Sequence, residues 1–169
     1  DYYMMGGWSL ERVDPERFCS GNENWKVSTD PSGGTPGRIN TARALNPDTV
    51  RPEVLFIEIP EESAVEVFFN ESMDSTTLIL SENYFIDHGI GNPMKINLKG
   101  PEYLSAILFL DQPLQSGFIY NLHITGQLYD CNRNLLEKTD SIRFAKPEMA
   151  EKEDILIHKN TVHKIIKSE

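Results

Sequence analysis

The sequence predicts an all-β fold in which short strands pair as a two-layer antiparallel β-sandwich. Residues 119–125 alternate in polarity, with Tyr120, Leu122 and Ile124 on one side, as expected for a half-buried strand. Similar segments precede this one, and turn-forming residues separate them about every 8–12 positions, which favours a sandwich over a βαβ fold. Apart from a turn of helix expected at residues 74–78, no stretch of the sandwich region has a convincing helical period.

Length and charge limit the function. The chain has 169 residues, enough for one domain with a core, or one domain plus part of another. Its 16 Lys and Arg residues against 26 Asp and Glu residues give a net charge of −10, so we expect neither a nucleic-acid partner nor an anionic membrane surface. No apolar run approaches the roughly 20 residues of a membrane helix, so we expect no membrane insertion. Nothing at Asp1 resembles a signal peptide, and we expect a mature form, a processed fragment or a designed chain.

Residues 1–46 differ in composition from the rest of the chain. Residues 8–13 alternate and could form one strand, whereas residues 14–46 are rich in Pro, Gly, Ser, Asn and Asp, which favour turns. The few apolar residues of this stretch cannot build a core alone. We therefore expect it to lie over something else or to be loosely ordered.

Several short elements occur in order in this stretch: Gly7-Trp8-Ser9-Leu10-Glu11-Arg12, Cys19, Asn24-Trp25, Asp30-Pro31-Ser32-Gly33-Gly34-Thr35-Pro36-Gly37 and Asn40. With them the stretch resembles the end of a lamin-tail domain of the bacterial type found in secreted proteins of Bacteroidetes. The earlier strands of such a domain are missing here. The resemblance implies that residues 1–46 are its C-terminal remnant.

Strand signals begin after a linker at residues 46–49. We expect strands at residues 54–59, 64–70, 83–87, 95–99, 105–110, 119–125 and 140–144. The intervening pieces are short and rich in Gly, Pro, Ser and Asn.

This second region also resembles a family. The motif Val67-Phe68-Phe69-Asn70-Glu71-Ser72-Met73-Asp74 is similar to the entry of bacterial Ig-like domains of the S-layer (Big-type) group, and residues 83–86, 114–120 and 129–134 match later parts of that pattern. Arg133 stands where the family usually has Gly. The resemblance implies an Ig-like β-sandwich at residues 50–146, and the order of the two regions is similar to multidomain secreted proteins of Bacteroidetes.

Residues 147–169 are expected to be a charged linker and tail, with 155–158 either an edge strand or part of a disordered end.

The turn at residues 130–134 has the spacing of a calcium loop. Asp130, Asn132 and Asn134 place oxygen-bearing side chains at alternate positions. However, Leu135 replaces the usual Gly, and Ser141 stands where a bidentate Glu would close the loop. A calcium site and a side-chain-capped turn both stay open.

The two cysteines lie in the two family-like regions. Free exposed thiols are unusual in a secreted protein, so we expect Cys19 and Cys131 to form a disulfide that ties residues 1–46 to the sandwich. The alternative is two unpaired cysteines, one or both buried as small hydrophobic residues.

Motifs of known catalytic chemistry are absent from the sequence. It has no nucleophile elbow, zinc-protease helix or phosphate loop, and its histidines (His88, His123, His158 and His163) are scattered. Its many carboxylates, among them Glu61, Glu62, Glu66, Glu71 and Asp74, indicate a solvated face, with a catalytic pair as the alternative. We therefore expect no enzyme, and no cofactor apart from the calcium ion considered above.

The expected function is that of a non-catalytic extracytoplasmic module for spacing, docking or adhesion within a larger secreted or cell-envelope protein, with a protein or glycan partner there. The alternative is an accessory carbohydrate-binding module of a secreted enzyme, in which Trp8, Trp25 or Tyr129 would stack on sugar rings. Against it, these rings, together with Tyr2 and Tyr3, could pack down to anchor the irregular segment.

Overall fold

The computed structural model describes residues 7–17, 19–137 and 141–147. Within these ranges the chain forms strands and one short helix, which confirms the all-β fold class. The strands are β1 (Leu10–Arg12), β2 (Trp25–Val27), β3 (Val54–Glu61), β4 (Ala64–Phe69), β5 (Tyr84–Ile86), β6 (Lys95–Leu98), β7 (Ser105–Phe109), β8 (Ile119–Ile124) and β9 (Ile142–Ala145). The α-helix is α1 (Ser75–Leu78), and single 3-10 turns lie at Asn22–Asn24 and Ser81–Asn83.

Two antiparallel sheets make the sandwich. One has the strand order β3-β4-β7-β6 and the other the order β5-β8-β9. In the first sheet Val67 of β4 faces Ile57 on one side and Ala106 on the other. In the second sheet Leu122 of β8 lies between Ile86 and Ile142. Each central strand thus places a line of apolar side chains on its inner face, because successive residues point to opposite faces.

The hydrophobic core lies between these sheets. Its fully buried members include Val65 and Val67 of β4, Leu108 of β7 and Leu122 of β8, each 0% exposed. Every member of the buried cluster comes from residues 65–144. The core therefore belongs to the sandwich, and the described N-terminal residues add nothing to it.

The predicted strands agree closely with the observed ones. Predicted strands 54–59 and 119–125 correspond to β3 and β8, and the predicted helical turn is α1, whose N-cap is Asp74. The last sandwich strand begins later than expected, at Ile142. Tyr2, Tyr3, the predicted strand at 155–158, His158 and His163 lie outside the described residues.

The N-terminal segment, residues 7–46 where described, carries a small sheet of its own. Strands β1 and β2 pair antiparallel, with Leu10 opposite Val27. Polar side chains hold the loops around it. Glu11 is buried and accepts hydrogen bonds from the Thr41 N–H at 2.8 Å and from the Thr35 and Thr41 hydroxyls. Strand β2 was not predicted.

A second polar hub lies in the same segment. Asn24 is 0% exposed, donates to the Asp14 carbonyl at 2.8 Å and accepts from the Asp14 N–H at 2.8 Å. By contrast, the large apolar side chains of the segment are mostly exposed, and Leu45 reaches 92%. Backbone and side-chain hydrogen bonds, rather than apolar burial, therefore organise the segment.

Candidate functional site

The N-terminal segment meets the sandwich at the two cysteines. Cys19 and Cys131 are bonded in the structure, with Cα atoms 5.9 Å apart and a sequence separation of 112. Beside the bond, the Asn132 side-chain nitrogen donates to the Cys19 carbonyl at 3.0 Å and to Asp48 Oδ2 at 2.9 Å. We call this contact, made by Cys19, Cys131, Asn132 and Asp48, the junction.

The turn that carries Cys131 is built around one carboxylate. Asp130 is 0% exposed and accepts from the backbone N–H groups of Asn132 at 2.8 Å and Asn134 at 2.7 Å, and from the Asn134 side chain at 2.8 Å. This is the geometry of a side-chain-capped turn, one of the two interpretations left open by the sequence. Calcium binding at Asp130, Asn132 and Asn134 stays a prediction.

Carboxylates from three separate segments come together at the junction. Asp48, Glu71 and Asp130 each have an oxygen atom within 4.8 Å of the others. Among the described residues, these three carboxylates are close enough together to share a cation. The sequence pattern did not reveal this grouping. Their closeness alone does not define a metal site, because the Arg17 guanidinium already lies 2.9 Å from Asp48 Oδ2.

Glu71 has the most perturbed environment of the three. One of its carboxylate oxygens is buried and receives no hydrogen bond from the described residues. Burial raises the pKa of Glu71, and the charges of Asp130 and Asp48 raise it further against the opposing effect of Arg17, giving a value of about 7. This carboxyl group therefore binds a proton close to neutral pH.

An open cavity of about 730 Å³ adjoins the junction. Its walls come from the N-terminal segment through Arg17 and Glu23, and from the sandwich through Met73, Tyr103 and Arg133. Among the described residues that line the cavity, no nucleophile is paired with a base. The Asp74 carboxylate, which belongs to this lining, instead forms an ion pair of 2.9 Å with the Arg133 guanidinium.

Several of the other carboxylates and histidines considered in the sequence have partners of their own in the structure. The sequence predicted a solvated face for Glu66, but the residue is only 4% exposed. Its carboxylate lies 2.8 Å from the Lys99 ammonium and accepts a hydrogen bond of 2.7 Å from the Ser105 hydroxyl. Glu62 pairs with Lys146 at 2.7 Å. His88 lies 2.8 Å from Asp87, and His123 packs beside Phe85 on the outer face of its sheet.

The three aromatic side chains proposed to contact glycans lie on different elements. Trp25 of β2 is 41% exposed, with the Arg12 guanidinium 5.4 Å from its ring centroid. Tyr129 is half-buried near α1, and its hydroxyl bonds Gln127 at 2.9 Å. Trp8 is also half-buried. Trp25 is thus the most accessible of the three rings.

Helix α1 has four residues, and the described chain contains no helix with the length and hydrophobicity needed to cross a bilayer.

Comparison with solved structures finds a similar fold in an S-layer protein. The crystal structure of the S-layer protein rSbsC(31-844) matches with a TM-score of 0.52 and 21% identity, over 60% of this chain and 14% of that chain. The structure of surface layer protein SbsC, domains 1-6, gives a TM-score of 0.49 and 23% identity over 60% of this chain and 15% of that one. Neither protein-family models nor curated proteins match the sequence. At this identity the similarity shows a shared fold, and the matched region is a small part of the S-layer chain.

Proposed function

We propose that this chain is a non-catalytic module that works outside the cytoplasm, spacing or docking neighbouring parts of a larger cell-surface protein. Two features support the location. The fold is similar to part of an S-layer protein, and Cys19 and Cys131 form a disulfide, a bond that is common in oxidising compartments and rare in the cytosol. A protein or glycan of the cell envelope is the proposed partner.

The observation that carries the proposal is the pair of positions at which the chain enters and leaves the sandwich. Strand β3 starts beside Glu53 and Asn70, which exchange hydrogen bonds of 2.7 and 3.1 Å. The chain leaves after β9, where Lys146 bonds Glu62 just beyond the other end of β3. Entry and exit are therefore separated by the length of an eight-residue strand, about 25 Å. A rigid body entered at one end and left at the other can set a fixed distance.

A replacement experiment in the cell-surface protein tests this proposal. Residues 50–147 are exchanged either for an unrelated sandwich with the same entry-to-exit distance or for a Gly/Ser linker with the same number of residues. A spacer predicts that the unrelated sandwich preserves surface assembly and that the flexible linker loses it, because a flexible chain sets no fixed length. Docking predicts that both replacements fail and that the purified chain binds isolated envelopes. Full assembly with the flexible linker contradicts the proposal.

We also propose, from the sequence, that residues 1–46 are the C-terminal part of a lamin-tail domain. The close packing of the glycine loop supports this, because a Cβ atom at Gly33 would lie 3.0 Å from the Gly7 carbonyl oxygen.

We further propose that Asp130, Asn132 and Asn134 bind calcium, which the spacing of their oxygen-bearing side chains supports. A rise of several degrees in melting temperature in 5 mM CaCl₂, but not in MgCl₂, supports calcium binding, and no rise contradicts it.

The second candidate, a carbohydrate-binding module, is favoured by one observation, the exposed Trp25 ring. Glycan-array binding that is lost in Trp25→Ala and kept in Tyr129→Phe would support it. An array without any bound glycan would remove it.

A further inference from the structure

We propose that the Cys19–Cys131 disulfide is a redox-dependent latch. In the oxidised chain it holds the N-terminal segment on the sandwich, and its reduction releases the segment while the sandwich stays folded. The inference rests on the proposed function only in placing the chain in an oxidising compartment.

The sandwich has no need of the bond. Its buried cluster lies wholly within residues 65–144, so no described residue of the N-terminal segment fills the core. The turn around Cys131 is also held independently of the sulfur atom. The Cys131 backbone N–H donates to the Ser72 carbonyl at 3.1 Å, and the Asp130 carboxylate accepts a hydrogen bond from the backbone N–H of Asn132. Removing the bond therefore leaves the core and this turn intact.

The N-terminal segment has much less to hold it in place. Val13, at 3%, is the buried hydrophobic residue of its described part, while Leu10, Ile39 and Leu45 are 63%, 73% and 92% exposed. A segment of about 40 residues without an apolar core usually needs a disulfide, a metal or a partner to stay folded. The polar hubs around Glu11 and Asn24 give it shape, but water competes for hydrogen bonds of this kind.

The contacts around the bond are few and polar. Asn132 donates to the Cys19 carbonyl and to Asp48, and Arg17 pairs with Asp48. Next to these contacts lies the 730 Å³ cavity rather than a packed apolar interface. Once the covalent bond is removed, these are the contacts that the described residues offer to hold the segment against the entropy of a free chain.

The bond is accessible to the chemistry that would open it. Cys19 is an exposed residue and Cys131 is half-buried, so the bond lies at the surface, where a thiolate in solution can approach it. A dithiol reductant attacks one sulfur and forms a mixed disulfide, which its second thiol resolves. Two electrons pass to the cystine, the two cysteines take up one proton each, and the reductant becomes a disulfide. An oxidising disulfide reverses the same exchange and closes the latch.

Limited trypsin digestion of the full chain, followed by mass spectrometry, tests the latch. Cleavage after Lys26 and Arg38 reports on the N-terminal segment, and cleavage after Lys95 and Arg143 reports on strands β6 and β9. The arms are the oxidised chain, the same chain in dithiothreitol, and the double variant Cys19→Ser/Cys131→Ser. We expect both thiol-free and reduced forms to be cut after Lys26 and Arg38 roughly tenfold faster than the oxidised chain, with strand sites unchanged.

Controls separate the bond from the substitutions. Thr29→Ser/Gln112→Ser, at two exposed positions, keeps the cysteines and should behave like the oxidised chain. Dithiothreitol should not change the double Cys variant further. Unchanged protection after Lys26 and Arg38 on reduction overturns the latch, and so does equal loss of protection at the strand sites. Either result leaves the replacement test of the spacer unaffected.

Discussion

Two glutamates of this chain are perturbed in opposite directions by their neighbours. Glu11 is surrounded by donors. Burial raises its pKa, but hydrogen bonds from Thr35, Thr41 and the Ala42 N–H outweigh that effect and hold the pKa at about 2. One buried carboxylate oxygen of Glu71 receives no hydrogen bond from the described residues, and two other carboxylates lie close to it. Glu11 is therefore a fixed charge that organises loops, whereas Glu71 carries a proton near neutral pH.

The raised pKa of Glu71 makes stability depend on pH. Because the folded-state value of about 7 lies above the ordinary 4.5, folding binds a proton, and this contribution is fully present below about pH 4.5 and lost as the pH rises through 7. Glu71→Gln stays neutral at every pH. We expect urea unfolding to show it more stable than the wild type by on the order of 1–2 kcal/mol at pH 8, a value reduced for partial solvent access, and equal to it near pH 4.5.

The exposed Glu102, on the wall of the same cavity, supplies the control. The difference between Glu102→Gln and the wild type should change little between these pH values. A pH-independent difference for Glu71→Gln would contradict the assignment of the proton to Glu71.

A close contact at Gly126 also acts at the scale of one residue. A Cβ atom there would collide with the Asn83 side-chain amide and lie 3.2 Å from the Asn83 Cα. Asn83 cannot turn away easily, because it is 5% exposed and donates to the Thr77 carbonyl at 2.8 Å. We expect Gly126→Ala to lower the free energy of unfolding by about 1–3 kcal/mol in urea titration. Gly21→Ala meets only the carboxylate end of the exposed Glu23 side chain, which can shift more easily than a buried group, and should cost less than about 0.5 kcal/mol.

At the scale of the element, helix α1 is fastened to strand β5 by one hydroxyl. Tyr84 is 0% exposed and donates to the Leu78 carbonyl at 2.8 Å. Burial raises the pKa of Tyr84 far above its usual range, so the hydroxyl remains a neutral donor. Tyr84→Phe leaves that buried carbonyl without its donor and should cost about 1–2 kcal/mol in thermal or urea unfolding.

Tyr129→Phe is the matched control for this element. Its hydroxyl bonds Gln127 in an exposed position, where water can replace the lost bond. A cost below about 0.5 kcal/mol is expected. Equal effects of the two substitutions would show that burial of the Tyr84 bond is unimportant.

Elements with strict alternation were predictable from sequence, and elements without it were not. In β8 the inward residues Tyr120 and Leu122 are buried as the pattern required. Strand β2 has three exposed residues between turn formers, so no apolar period marks it. Its pairing with β1 comes from loops shaped by Glu11 and Asn24, and contacts of this kind leave no periodic pattern in the sequence.

At the scale of the molecule, stability should reside in the sandwich. Leu122→Ala removes a fully buried side chain from the core and should cost about 2–5 kcal/mol. Trp25→Ala removes a larger side chain that is 41% exposed in the N-terminal segment, and the main unfolding transition should shift by less than about 0.5 kcal/mol. Calorimetry checks both. A large effect of Trp25→Ala would mean that the two parts unfold as one cooperative unit.

The arrangement of the junction could be predicted only in part. Cys19 and Cys131 are bonded in the structure, whereas the sequence left open both this disulfide and two unpaired cysteines. The grouping of Asp48, Glu71 and Asp130 was missed, since each lies in a different loop and only the folded chain brings them together. Glu71 and Asp130 belong to different motifs of the sequence, and nothing in their spacing indicates Asp48 as a neighbour.

The covalent loop closed between Cys19 and Cys131 determines how the chain would carry tension. A pull from the amino-terminal side passes through the sulfur atoms straight to Cys131, and from there towards β9. Strands β3 to β8 all lie inside the bypassed loop, so tension along the backbone does not pass through them. Under stress the oxidised protein could therefore lengthen only through the residues outside that loop.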